Sequence, residues 1–260
     1  MQKTIKKTKT DLLSLVLTAS LGFTPYSLAN NNIEINSNNL PKLALETAVA
    51  DVQQRLAQIK PNMRLSYAKQ KDDNDGTIKI YKFTPIGISD GQWTAVHTEF
   101  TDNNTETKTW GNDAMLTIDA FDLVNAKLKS ETENSWLFEL PSYVNLNFDE
   151  EEPDQPLEKG EVSQVIHAEL EVTKKDSHFI SYRLYALKSF TPMYSVKIST
   201  LNIYNVLNEA WANGPLITES QTEEVEGSMG FFISIDENIT ILNSGFTLVE
   251  VNSAPDLRKH

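Results

Sequence analysis

The sequence contains no cysteine, which excludes disulfides, Cys-ligated zinc, iron–sulfur clusters, thiol catalysis and a lipid-modified N-terminal Cys. Histidine is scarce, with four in 260 residues, so little material is left for a His-based metal centre. The 10 glycines are scattered, and none of them builds a phosphate-cradling loop; nucleotide chemistry is not expected. Positive charge is short as well, with 23 Lys+Arg against 36 Asp+Glu and a net charge of −13. Nucleic acid, or anionic lipid held by charge alone, needs a concentrated basic surface that this chain does not offer. What remains is ordinary globular composition, 40% hydrophobic and 23% charged. That is enough to bury a core in one large domain or two small ones.

The N-terminus reads as an address. Lys3, Lys6, Lys7 and Lys9 precede Leu12–Phe23, a 12-residue uncharged run that Pro25 breaks. Ser27 and Ala29 then place small residues where a signal peptidase needs them. We therefore expect residues 1–29 to be a secretory signal peptide cleaved after Ala29, the run being too short for roughly 30 Å of hydrocarbon. No other stretch is apolar enough to span a membrane, so the mature chain is expected to be soluble. Removing residues 1–29 takes away four Lys and one Asp, leaving 19 basic and 35 acidic residues. An acidic, cysteine-free exported protein fits a bacterial periplasm. Two Asn-x-Thr matches, at Asn103 and Asn238, are read as chance in that compartment.

Residues 30–39 (NNNIEINSNN) are polar and Asn-rich, and are expected to form a flexible leader. Leu45, Val49, Val52, Leu56 and Ile59 then recur at helical spacing, with Pro41 in the first turn and Pro61 at the end. Beyond that helix the chain alternates with the period of a strand. Met63, Leu65 and Tyr67 share one side, and the Asp75-Gly76 pair predicts a hairpin into Thr77–Thr84. Ala114–Lys129 could hold a second helix capped by Asp113, with Ile118, Phe121 and Leu128 on one side. In the second half, Ile166, Ala168, Leu170 and Val172 oppose His167, Glu169 and Glu171, the alternation of a half-buried sheet. Further strands follow at Phe179–Leu187, Ser195–Leu207, Leu216–Glu226, Phe231–Ile241 and Phe246–Val251. No linker divides them, so residues 40–254 are expected to form a single half-barrel domain.

About nine antiparallel strands and one good helix predict a mainly β (α+β) fold: a single curved antiparallel sheet, a half-barrel, wrapped around the N-terminal amphipathic helix. Such a cradle commonly leaves an apolar cavity. The order of helix, then meander, behind a signal peptide resembles the half-barrel of periplasmic lipoprotein carriers, the LolA and LppX-like group. More closely, Tyr81–Trp93 (YKFTPIGISDGQW), Phe190–Ile198 (FTPMYSVKI) and Val225–Phe232 (VEGSMGFF) resemble a group of uncharacterised exported proteins of Gram-negative bacteria. The resemblance covers most of residues 40–251 and implies a fold and a class of ligand. It brings no catalytic residue with it.

Candidate chemistry is thin. His167 and Glu169 share a strand face, and His178 on the neighbouring strand could complete a metal site or an acid–base pair; a solvated outer face is the plainer reading. Ser228, between Gly227 and Met229, is not in a nucleophile elbow. Asp72–Gly76 looks like a truncated calcium loop without its later Glu, and reads better as a turn. Asp149–Glu152 is an acidic run of the kind that solvates a loop. In the loop Phe190-Thr191-Pro192-Met193-Tyr194, the apolar side chains Phe190, Met193 and Tyr194 either fold back over the core or meet a partner. Trp93, Trp110, Trp136 and Trp211 are assigned to wall or core.

These observations predict no catalytic residue, no metal, no cofactor and no enzyme. The expected function is a periplasmic binding or carrier protein for a hydrophobic ligand: a lipid, an acyl chain or a lipidated polypeptide. The expected wall is Met63, Leu65, Tyr67, Ile78, Ile80, Ile166, Leu170, Phe231, Ile233 and Ile235. The rival is a non-enzymatic envelope adaptor or assembly factor with a solid core that acts through its loops on an envelope protein partner.

Overall fold

The structure is a computed structural model, and it describes residues 16–17, 39–73, 78–89, 92–99, 105–109, 114–119, 121–142, 146–147, 165–193, 196–230 and 233–251. The one helix, α1 (Leu40–Ala57), carries Pro41 in its first turn, where a missing N–H leaves nothing unbonded. Its packed face is the expected stripe: Leu45 and Val52 are buried, and Val49 and Leu56 pack beside them. Ala44 and Ala48 lie fully inside on the same face, and their small side chains let the helix backbone approach the sheet closely.

A sheet of 12 strands receives that helix, and every pairing in it is antiparallel. Its first arm is β2 (Met63–Asp72), β3 (Ile78–Ser89), β4 (Gln92–Glu99) and β5 (Thr105–Thr109). The second arm begins with β6 (Lys127–Glu131), β7 (Ser135–Pro141), β9 (Ile166–Thr173) and β10 (Phe179–Ala186). It continues through β11 (Phe190–Met193), β12 (Val196–Glu209), β13 (Leu216–Met229) and β14 (Ile233–Glu250). Two short strands, β1 (Val16–Leu17) and β8 (Leu146–Asn147), pair in a separate two-stranded sheet. The rest of the expected signal peptide and leader, up to residue 38, lies outside the described residues, as does the acidic run Asp149–Glu152.

The order across the large sheet is β5-β4-β3-β2-β14-β13-β12-β10-β9-β7-β6, with β11 added against β12. The meander is therefore cut once. β5 and β6 are neighbours in the chain but stand at opposite edges, while the last strand lies beside the first strand of the sheet. With both edges unjoined, the sheet is an open half-barrel and not a closed barrel. Phe246–Val251 is not a separate strand either, for β14 runs through to Glu250. A register shift between Ser244 and Thr247 absorbs the break in alternation there, and Gly245 adopts φ +67°, a conformation that costs glycine little.

The expected second helix is corrected. Within Ala114–Lys129 only Leu123–Asn125 forms a single 3-10 turn, and β6 begins at Lys127. The backbone explains this: the Leu116 N–H bonds Leu216 O at 2.9 Å and the Thr218 N–H bonds Ala114 O at 2.7 Å. The Ala114 carbonyl, which a helix would have bonded internally, is committed to β13, and the pair of bonds lays the segment across the end of the sheet. Ser228 is likewise a strand residue, near the end of β13.

Two apolar clusters form on the face that meets α1. The larger joins Leu45, Ala48 and Val52 to Phe138, Leu170, Leu184, Ile203 and Val225. The smaller holds Leu65, Tyr67, Phe83, Ala114 and Ile217, with Phe246 and Leu248 packed on it. In it the Tyr67 ring stacks between Phe83 at 5.0 Å and Phe246 at 5.5 Å. No residue of α1 takes part in this second cluster.

Candidate functional site

Directly opposed residues in antiparallel strands share a face, so the registers trace what lines the cradle. One row runs Phe138, Leu170, Tyr182, Asn205, Gln221, Ile241, Lys71 and Lys79, from β7 to β3. The next runs Leu140, Ala168, Leu184, Ile203, Glu223 and Ile239. Both rows are apolar where the helix lies and become polar at β12 and β13. The inner surface is thus two greasy patches separated by a polar seam.

The seam is deeply buried. Asn205 is 1% exposed, and among the described residues neither polar atom of its carboxamide has a hydrogen-bond partner. Asn243 donates to Thr218 O at 2.9 Å and leaves its own oxygen unbonded. Glu223 is 4% exposed and accepts a hydrogen bond from Gln221 Nε2. Burial pushes the Glu223 carboxyl up to about 6, although Lys69 and Lys71 pull the other way. Glu237 is also raised by burial, with Lys71 opposing the shift and Asp73 adding to it. Lys71 itself pairs with Asp73 at 3.0 Å.

The expected wall residues divide. Leu65, Tyr67, Ile166 and Leu170 are buried on the inner face. Ile235 packs partly buried against the larger cluster, and Ile233 lies on the same face, exposed, near the end of the sheet. Met63 is half-buried at the start of β2. Ile78 and Ile80 are a correction: their partners Asp72 and Gln70 alternate with Lys71, so both point to the outer face, where they are 50% and 39% exposed. The hairpin sets this parity, and a strand read alone does not reveal it. Phe231 and Tyr194 lie outside the described residues, and Met193 is described only as the end of β11. Phe190 is in the core, packed with Val196 and Ile198, so it folds back instead of facing outward. Of the tryptophans, Trp136 is core and Trp211 is partly exposed.

The outer face carries a different polar group, and here the partners are present. Glu169 is bonded by Lys129 and lies 3.7 Å from Arg183 Nη1. Glu171 accepts from the hydroxyls of Ser135 at 2.6 Å and Ser181 at 2.9 Å. Tyr185 donates to Glu139, and that bond, opposed by burial and aided by Lys129, holds the Glu139 carboxyl below its ordinary range. Around them is an open groove of about 410 Å³, lined among others by Ser135, Glu171, Ser181, Arg183 and Tyr204. His167 Nδ1 is 3.8 Å from Glu139 and does not bond Glu169. His178 instead turns to Asp51 of α1, at 3.1 Å. The structure therefore does not bring His167, Glu169 and His178 together, and among the described residues no three His, Asp or Glu group as a metal site.

Arg55, which the helical pattern did not single out, pins the end of α1. Its guanidinium bonds Asp51 at 2.7 Å, Glu209 at 2.7 Å and Gly214 O at 2.9 Å. Burial works against its charge, but the two carboxylates outweigh that and its pKa is raised. Glu209 is held low by the Asn213 N–H and by Arg55.

No family model matches the chain, and no curated protein matches it. Among solved structures it is similar to a LolA superfamily protein from Nitrosomonas europaea, at 11% identity and TM-score 0.37, over 81% of this chain and 96% of that one. It is also similar to a DUF1329 family protein from Desulfovibrio piger, at 9% identity and TM-score 0.36, over 82% and 95%. A third is MucB in complex with MucA(peri), at 8% identity and TM-score 0.23, over 79% and 100%. Scores this low carry no argument about function, and the half-barrel stands on the strand order itself.

Proposed function

We propose that this chain is a periplasmic, non-enzymatic binding or carrier protein for a hydrophobic ligand, exported by its N-terminal signal peptide. The observation that carries the reading is an unclosed sheet with two apolar clusters on its inner side. Among the described residues the first includes residues of α1, while the second, from Leu65 and Tyr67 to Phe246 and Leu248, is buried without it. Binding would be driven by removing apolar surface from water, worth about 0.8 kcal/mol per buried methylene. Leu65, Tyr67, Ile166, Leu170 and Ile235 remain the proposed lining. Among the described residues no helix is long and apolar enough to cross a membrane.

The test is to purify the protein from the periplasm of its own host, extract it with organic solvent and analyse the extract by mass spectrometry. Near-stoichiometric lipid or acylated polypeptide is expected. A protein that arrives bare, and takes up no acyl chain when offered one, would point instead to the envelope adaptor with a solid core.

A further inference from the structure

A carboxamide buried at 1% exposure with both its donor and its acceptor idle is a standing cost to the fold. Asn205 interrupts the otherwise apolar inner positions Leu201, Ile203 and Leu207 of β12, and a leucine there would fit the pattern of its neighbours. Across the strands it faces Tyr182 on the apolar side and Gln221 on the polar side. Resting on the carrier reading, we propose that Asn205, with Gln221 and the free oxygen of Asn243, is the head-group subsite of the cradle, and that the ligand is an acyl chain with a neutral amide head.

The chemistry follows from what is unmet. Asn205 offers an acceptor and a donor, and an amide head carries a counterpart for each, an N–H for the Asn205 carbonyl and a C=O for its NH2. In a trans secondary amide these point in opposite directions, so one bonds Asn205 and the other is free to turn toward Gln221 or Asn243. Asn243 Oδ1 can accept a further N–H or O–H. The charged groups of this part of the inner face, Glu223, Glu237 and Asp73 with Lys69, Lys71 and Lys79, balance in number, and the residues directly opposed to Asn205, Tyr182 and Gln221, carry no charge. With no cation opposed to the carboxamide, a free fatty acid or a phosphate head gains nothing there over a neutral one. The apolar patches on either side of the seam give the chain somewhere to lie.

Binding of N-palmitoylethanolamine, palmitate and hexadecane to the full exported chain tests this, with wild type compared to Asn205→Leu. Wild type should bind the amide about tenfold more tightly than palmitate. In Asn205→Leu the amide should fall about tenfold while hexadecane is unchanged, and Tm should rise by a few degrees, since the idle carboxamide is gone. Asn205→Ala should show the same loss of preference if the leucine does not fit. Amide binding that survives both substitutions would mean Asn205 merely holds a water, and would overturn the subsite alone. Palmitate binding as tightly as the amide would do the same. Wild type that binds neither amide nor hexadecane would overturn the carrier reading and the subsite with it. If the amide preference holds, extraction and intact-protein mass spectrometry separate the two sources of such a head, a free lipid or an acylated polypeptide.

Discussion

The same strands carry polar groups on both faces, and the two sets are built on opposite terms. Outside, Glu169, Glu171 and Glu139 each have a cation or hydroxyl in place. Inside, Asn205 has no hydrogen-bond partner among the described residues, and Glu223 accepts from a neighbouring amide with Lys69 and Lys71 acting on it by charge alone. A charged network with its partners present is a rivet. A buried group without one is a cost that the fold tolerates. Among the described residues Asp73, His167 and Asn243 are also left short of hydrogen bonds, but Asn205 alone has both a donor and an acceptor idle, and that points to a ligand. Position along the strand does not make the difference, because Glu171 and Tyr182 are one strand from each other in adjacent registers; parity does.

The comparison can be strained at several points. The largest effect should come from Arg55→Ala, which leaves Asp51 and Glu209 facing each other without their cation. Because both carboxylates keep some solvent, the loss is expected at about 2–3 kcal/mol, below the full cost of breaking a buried pair, and chemical denaturation measures it. Next is the pH response of the inner face. The Glu223 carboxyl is at about 6 when folded and near 4.5 otherwise, so the folded chain holds the extra proton between those values. Its share of stability is present below pH ~4.5 and is lost as pH rises through 6, on the order of 2 kcal/mol. Urea midpoints from pH 4.5 to 7 should show that decline in wild type and a shallower one in Glu223→Gln, where among the described carboxyls Glu237 alone still carries a raised pKa.

Outside, the sign reverses. Glu139 is held low chiefly by Tyr185, so its contribution is present above the ordinary carboxylate range and drains away on acidification. Glu139→Gln should lower stability at neutral pH and flatten the acid limb, since the variant has no such contribution to lose. Glu171→Ala strands the buried hydroxyl of Ser181 and leaves that of Ser135 with Thr132 alone, and should cost about 1–2 kcal/mol, read from the denaturation midpoint. The smallest effect belongs to Ile80→Ser on the outer face, within about 0.5 kcal/mol, with ligand loading unaltered. A loss of loading there would break the division into faces.

Much of the architecture was legible because alternation is a local property. Ile166, Ala168, Leu170 and Val172 announce their face, and Leu45, Val49, Val52 and Leu56 announce the helix. Non-local facts were not legible. Nothing in residues 114–129 says that their backbone will bond β13, and apolar spacing alone imitated a helix. Ile78 and Ile80 alternate as well as any wall residue, but their face is set by pairing with β2 across a hairpin. Of the candidate site, the apolar lining could be read in part. Asn205 was visible as an Asn in an apolar series, yet its lack of a partner emerges only when β10, β12 and β13 are side by side. Arg55 was hidden because a long polar side chain on a helix usually reaches water.

The order of the strands also dictates when this protein can be finished. Asp72 pairs with Thr240 and Glu250 with Met63, so the final strand is the keystone between two arms that otherwise touch nowhere in the ladder. A chain that has not yet delivered β14, or has lost it to a protease, exposes two raw edges at β2 and β13, each a template for another polypeptide. Assembly from the centre outward must wait for the tail.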